Sequence, residues 1–368
     1  MRLFQGRKKM KKLPAILLIT AAPFIFSQTH ANEIKAEQDN NQASTQLISS
    51  SDFAIPISRV APKYPIAMAR AGGEGWVQMS FVIAKDGSVV DPVISDSSGS
   101  RGFEKAALKA IKKWQYSPAM VDGKAIEQCQ NKVQLDFKLD KPVQAVRRKF
   151  RSVYIKARDA LDANKSSLAA DYMAKLRDDK KFNSMESAWF WMLEADFAKA
   201  NKDPKAELSN IIRAIHTDKD GLLLGTDNYL SMLQQRFVLE IKFAKYANAL
   251  GTFEKFKNHE KNQKRIERLQ KYATQITQLL DSAEPIMVAA KINDDGHWWH
   301  TLSRNAFTFF EVKGKLDRLE LRCNNKREIY TFADDSTWHI PESWGRCSVM
   351  VMGDKNADFN LVELSPEA

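Results

Sequence analysis

The chain has 368 residues, with 56 Lys and Arg against 45 Asp and Glu, a formal net charge of +11. Six of the positive charges and none of the acids lie in residues 1–31, so the remainder carries 11 − 6 = +5, too modest an excess to argue for nucleic acid. There is no Gly-rich phosphate loop, no Gly-x-Ser-x-Gly elbow and no recognisable carboxylate frame, so an enzyme is not expected, nor any cofactor.

Residues 1–31 read as a secretory signal. Arg2, Arg7, Lys8, Lys9, Lys11 and Lys12 precede an apolar run from Leu13 to Phe26, and Thr29-His30-Ala31 places small residues where cleavage would fall. The run is shorter than the ~20 apolar residues of a membrane span and contains Pro14 and Pro23, which favours cleavage and export; an uncleaved inner-membrane anchor is the alternative. No cysteine stands near this end to take a lipid. Residues 32–52, polar and without periodicity, read as a linker.

Residues 53–141 carry the motifs. Tyr64-Pro65 is an extended dipeptide, followed by a short helix that Gly72, Gly73 and Gly75 end. Trp76 to Ile83 alternates as a strand with Val77, Met79 and Phe81 on one face, and Lys85-Asp86-Gly87-Ser88 turns it back into a second strand, Val89 to Ser95. A helix from Gly102 to Trp114 aligns Phe103, Ala107, Ala110, Ile111 and Trp114, and Pro118 ends it. After the turn at Asp122-Gly123, Lys132 to Leu139 alternates Val133, Leu135, Phe137 and Leu139 inward with Gln134, Asp136 and Lys138 outward, as an edge strand. Cys129, placed before that strand, reads as a small buried residue.

The order and spacing of Tyr64-Pro65, Gly72-x-Glu74-Gly75, Asp86-Gly87, Phe103-Glu104 and Trp114-x-Tyr116-x-Pro118 resemble the C-terminal domain of the TonB family. The resemblance implies a ββαβ module that receives an extended peptide from an outer-membrane receptor. An exposed strand edge suits this, because its backbone N–H and C=O groups can take one more strand. The partner-binding residues implied are Lys63, Tyr64, Gln130, Lys132, Gln134, Asp136 and Lys138. Lys63 stands where many relatives have a glutamine, and the long membrane helix and proline-rich rod of energy-transducing relatives are not seen. The implied role is therefore a periplasmic accessory of TonB-dependent transport, with TonB-dependent outer-membrane receptors or other envelope proteins as partners. The alternatives are an anchored energy transducer working with motor proteins of the ExbB/ExbD type, and a cell-envelope scaffold that touches peptidoglycan.

Residues 142–284 are rich in helix formers. The pattern predicts helix pairs at Tyr154 to Asn164 with Leu168 to Asp178, and at Ser187 to Asn201 with Lys205 to His216, then one or two helices over Tyr229 to Phe256, broken near Gly251. Paired helices with alanine and aromatic residues at the crossings resemble tetratricopeptide-type repeats, and an ordinary helical bundle is the alternative. The basic run from Lys255 to Lys271 reads as a solvated face.

Residues 285–368 return to a period of two. Phe307 to Val312, Leu316 to Cys323, Glu328 to Ala333, Cys347 to Met352 and Phe359 to Leu364 predict five strands of a small all-β sandwich or barrel. Cys323 and Cys347, in two of these strands and 24 residues apart, are expected to form a disulfide after export. His297, His300 and His339 are not expected to hold a metal, and Trp298, Trp299, Trp338 and Trp344 read as core and corner residues. The whole is an α+β multidomain chain: a TonB C-terminal-like domain, a helical hairpin region and a β domain.

Overall fold

The computed structural model describes residues 51–139, 145–179, 181–333 and 336–365. The signal segment lies outside the described residues, as does the linker except for its last two residues. Those two form β1 (Ser51–Asp52), which pairs with a later hairpin.

The first region runs β2 (Pro56–Ser58), α1 (Ile66–Ala71), β3 (Gly75–Ile83), β4 (Val89–Ser97), α2 (Arg101–Ile111), β5 (Gln115–Tyr116), β6 (Ala119–Val121), β7 (Lys124–Ile126) and β8 (Gln128–Phe137). Its main sheet has the order β4-β3-β8 and is antiparallel throughout. The Asp86-Gly87 turn needs its glycine twice over. Gly87 has φ +81°, and a Cβ there would stand 1.8 Å from the Tyr116 carbonyl oxygen. α2 lays Phe103, Ala107 and Ile111 on Val77, Met79 and Phe81, and Phe103 stacks on Phe137 with ring centres 4.4 Å apart. Cys129 lies inside β8, buried, rather than before it.

The second region holds α3 (Arg148–Asp162), α4 (Ser166–Arg177), α5 (Ser184–Ala200), α6 (Pro204–Thr217), α7 (Thr226–Lys242), α8 (Tyr246–His259) and α9 (Gln263–Leu280). The first six pack as three hairpins, α3 with α4, α5 with α6 and α7 with α8. Each hairpin closes through a three-residue turn whose middle residue is left-handed: Asn164 (φ 54°), Lys202 (φ 57°) and Ala244 (φ 52°). The bonding repeats as well, since the third residue's N–H reaches back to the carbonyl of Ala160, Ala198 or Glu240, at 2.8, 2.9 and 2.8 Å respectively. The chain therefore breaks at Ala244 and not near Gly251, which lies inside α8 with open space beside it. α5 begins with a capping box, in which the Asn183 side chain accepts from the Glu186 N–H and the Glu186 carboxylate accepts from the Asn183 N–H.

Among the described residues the third region contains eight strands rather than five: β9 (Ile286–Lys291), β10 (His297–Thr301), β11 (Ala306–Lys313), β12 (Leu316–Cys323), β13 (Arg327–Thr331), β14 (Thr337–His339), β15 (Cys347–Gly353) and β16 (Asp358–Glu363). They form two four-stranded sheets, β10-β15-β12-β13 and β14-β11-β16-β9, that close on one core containing Val288, Phe307, Leu319, Leu321, Val349 and Leu361. The histidine and tryptophan stretch expected among core and corner residues is strand β10, and Trp338-His339 falls in β14; Trp298, Trp338 and Trp344 pack against the core. Cys323 and Cys347 face each other across β12 and β15 and are joined by a disulfide. On the chain-entropy view a loop of this size stabilises the fold by about 3 kcal/mol.

Arg304 ties this sandwich to the helices. Its buried guanidinium donates to the carbonyls of Leu279, Leu280, Ser282 and Glu284, at the end of α9 and just beyond it. His300 and Glu363, both buried, meet at 2.7 Å, and the second oxygen of Glu363 accepts the N–H groups of Ser303 and Arg304. Among the described residues no helix is long and apolar enough to cross a membrane, and no group of acidic, histidine or cysteine side chains could hold a metal ion.

Candidate partner-binding site

The site is built on β8. It pairs with β3 from Gly75 opposite Phe137 to Ile83 opposite Gln128, with a register shift at Cys129 and Gln130, and among the described residues no strand pairs with its other edge. The residues of β8 alternate between two environments. Val133, Leu135 and Phe137 face α2. Lys132, Gln134 and Asp136, opposite Ser80, Gln78 and Trp76, face the helices and the β sandwich.

That second environment changes the meaning of the expected site residues. The Gln134 side-chain amide donates to the His216 carbonyl at 3.0 Å and to Asp136 at 2.7 Å. Asp136 pairs with Lys219 at 2.8 Å. Gln130 donates to the carbonyls of Arg322 and Arg346 at 2.9 and 2.7 Å. Lys132 borders a small cavity shared with the helices and the sandwich, and desolvation by the surrounding protein lowers its pKa although much of its side chain stays accessible. Gln134 and Asp136, expected to point to solvent, thus engage the helical region of the same chain. Lys138 remains exposed, as does Lys63, which directly precedes Tyr64 and stands three residues before α1. Tyr64 is a strut: its hydroxyl donates to the Gly73 carbonyl at 2.6 Å and its ring meets Phe103 and Phe137 edge-on. Burial, then the charge of Glu74, raises its pKa to about 12.

Residues not singled out from the sequence complete the site. Glu74, buried at the end of α1's loop, accepts the Leu139 N–H at 3.0 Å through one oxygen and the Ser184 N–H and hydroxyl at 2.9 and 2.8 Å through the other. One carboxylate therefore fixes both the end of β8 and the start of α5. Trp76 donates its indole N–H to Thr217 at 2.8 Å and meets the His216 ring edge-on. Burial, followed by the positive charges of Arg236, Lys255 and Lys219, lowers the pKa of His216 to about 3, so this ring is neutral near pH 7. The only advance signal for Glu74 was its place in the glycine-flanked motif; nothing local marks Trp76, Thr217 or His216 as partners.

A cleft of about 510 Å³ opens beside the end of β8. Asp136 of the strand and Lys138 just past its end form one wall, and Met185 of α5 with Lys219, Leu222 and Leu223 of the α6–α7 connection form the other. Leu222 is 84% exposed. Asp218 holds that connection in shape by accepting the N–H groups of Leu223 and Leu224 at 3.0 and 2.9 Å. The arrangement offers strand-pairing groups, apolar contacts from Met185, Leu222 and Leu223, and charges of both signs.

Residues 60–139 match the family described as Gram-negative bacterial TonB protein C-terminal. They form a TonB C-terminal domain. This domain is 38% identical over 80 residues to tonB2 of Pseudomonas aeruginosa, covering 22% of this chain and 29% of that protein. It is 33% identical over 70 residues to the TonB protein of Vibrio cholerae serotype O1, covering 19% of this chain and 29% of that protein. The chain thus spans less than a third of the length of these TonB relatives. The solution structure of the Pseudomonas aeruginosa TonB C-terminal domain is 31% identical, covering 24% of this chain and 88% of that one, with a TM-score of 0.22.

Proposed function

We propose that this chain is a periplasmic partner-binding protein of TonB-dependent outer-membrane transport, and that β8 takes up an extended segment of a receptor or another envelope protein. The observation that carries the reading is the one-sided pairing of β8, which leaves a row of backbone groups without a strand partner among the described residues. The neighbouring cleft supports it by placing Leu222, Lys138 and Asp136 within reach of the incoming side chains. Because Gln130, Gln134 and Asp136 are engaged within the chain, specificity in this reading falls to Lys138, Leu222 and the backbone.

The test is a titration of the isotope-labelled chain with a synthetic peptide copied from the extended periplasmic segment of a TonB-dependent receptor. Amide signals of residues 130–138 should move, while those of β4, on the opposite edge, stay in place. Lys138→Glu should change affinity by a factor of about two to ten, since it lies at the rim of the contact. Shifts confined to β4 or to the helices would sink the edge-pairing reading.

A second reading draws on the three matched helical turns, which support a tetratricopeptide-like array and an envelope adaptor. Co-sedimentation with purified peptidoglycan, without receptor-peptide binding, would favour it. Retention of residues 1–26 in the inner membrane beside motor proteins of the ExbB/ExbD type would replace both readings with energy transduction.

A further inference from the structure

Where the TonB C-terminal domain, the helices and the sandwich meet, a cavity of about 160 Å³ lies between β3, β4 and β8 on one side and β10, β15 and α8 on the other. Lys132 and Lys245 line it with Asn248, Ser80, Thr301 and Ser348. Ser80 is 5% exposed and Ser348 6%. The lining contains no carboxylate.

The acids around this junction are already engaged. Glu320 takes Arg322 and Arg327, Asp91 takes Arg327, Asp96 takes Arg213, Asp136 takes Lys219, and Glu240 takes Arg236 and the Thr252 hydroxyl. Among the described residues neither Lys132 nor Lys245 makes an ion pair within 4.0 Å. Desolvation lowers the pKa of both lysines. For Lys245 it outweighs the nearby charge of Glu240, and Arg236 and Lys205 add to the lowering. The first turn of α8 reaches the same cavity through Asn248 and brings the positive end of a 14-residue helix toward it. Ammonium groups without ion-pair partners among the described residues, hydroxyl and amide donors, and a half-open space amounting to several waters make a complement to a compact oxyanion.

We propose that this three-way junction is a binding site for a phosphate-type oxyanion, held by Lys132 and Lys245 and oriented by the hydroxyls of Ser80, Thr301 and Ser348. The bound anion joins the three regions, because its lysines come from β8 and from the turn before α8 and its hydroxyls from β3, β10 and β15. The inference does not depend on how β8 engages a partner strand.

The experiment titrates the full chain, purified in chloride without phosphate, with inorganic phosphate at constant ionic strength, and follows heat and thermal melting together. One saturable site per chain with Kd on the order of 1 mM or tighter is expected, with acetate weaker by about tenfold. Glycerol phosphate is titrated in parallel: binding equal to phosphate assigns the site to a terminal phosphate group, and binding of phosphate alone assigns it to the free ion. Lys132→Gln and Lys245→Gln should each weaken phosphate by about tenfold or more. Both should melt, without phosphate, no lower than the parent, because each removes an uncompensated charge. Phosphate should raise the melting temperature of the parent and leave the double variant unmoved. Absence of saturable phosphate binding to the parent, or equal binding to parent and folded double variant, would overturn the proposal.

Discussion

The two faces of the β4-β3-β8 sheet are both covered, and they are covered by different chemistry. One face meets α2 through Val77, Met79, Phe81, Phe103 and Phe137, all within the TonB C-terminal domain. The other meets distant parts of the chain through Trp76, Asp96, Gln130, Gln134 and Asp136, in single hydrogen bonds and ion pairs. The first face is a core, whose stability comes from apolar burial. The second is an interface, in which each contact contributes little alone and specifies orientation.

The comparison can be broken most forcefully at the apolar face. Phe103→Ala removes a fully buried ring stacked on Phe137 and should cost about 3–5 kcal/mol in chemical denaturation. A loss under half of that would mean that the domain leans on its outer face more than its packing implies. Next in size is Glu74→Gln, which keeps the shape but takes away the charged acceptor of Leu139 and Ser184. A loss of about 1.5–3 kcal/mol is expected, with unfolding of the sheet separating from that of the helices when the two are followed by different probes. The smallest effect sharpens the interface by pH. The His216 pKa is lowered to about 3 by burial, against about 6.5 unfolded, so below pH 6.5 the unfolded chain binds a proton that the folded one refuses. Stability is complete above pH 6.5 and falls as the pH drops toward 3. Between pH 7.5 and 5.5 this group should account for about 1.4 kcal/mol, and His216→Gln should flatten that part of the profile. An unchanged slope would place His216 outside the interface in solution.

Much of the apolar face was readable from residues alone. The period-two pattern of Val77, Met79 and Phe81, the Asp86-Gly87 turn and the stripe on α2 are local signals with local causes. The disulfide was readable for the same reason, since both cysteines fall on strands of one small unit. The outer face was not. Polar residues alternating with apolar ones look solvated, and the fact that Gln134 and Asp136 meet His216 and Lys219 depends on contacts more than 80 positions away. Strand β10 hid behind a run of His and Trp that shows no alternation of polarity. The break at Ala244 hid because a left-handed alanine is uncommon and Gly251 offered a more conventional stop. For the candidate site, the edge strand was legible as a strand, but its neighbours Glu74, Leu222 and Asp218 are assembled only by the tertiary fold.

Glu74 and Gln130 acquire a further meaning once β8 is thought of under tension. Any strand drawn lengthwise along an antiparallel neighbour stresses its hydrogen bonds in shear, all of them at once. β8 is pinned near both ends: the Glu74 carboxylate ties the residue just past its C-terminal end to the head of α5, and the Gln130 amide ties its opening residues to the sandwich. A pull transmitted to this strand would pass into helices and sandwich together instead of peeling the strand from β3. Under such a pull the two outer regions would back a sheet that has three strands among the described residues.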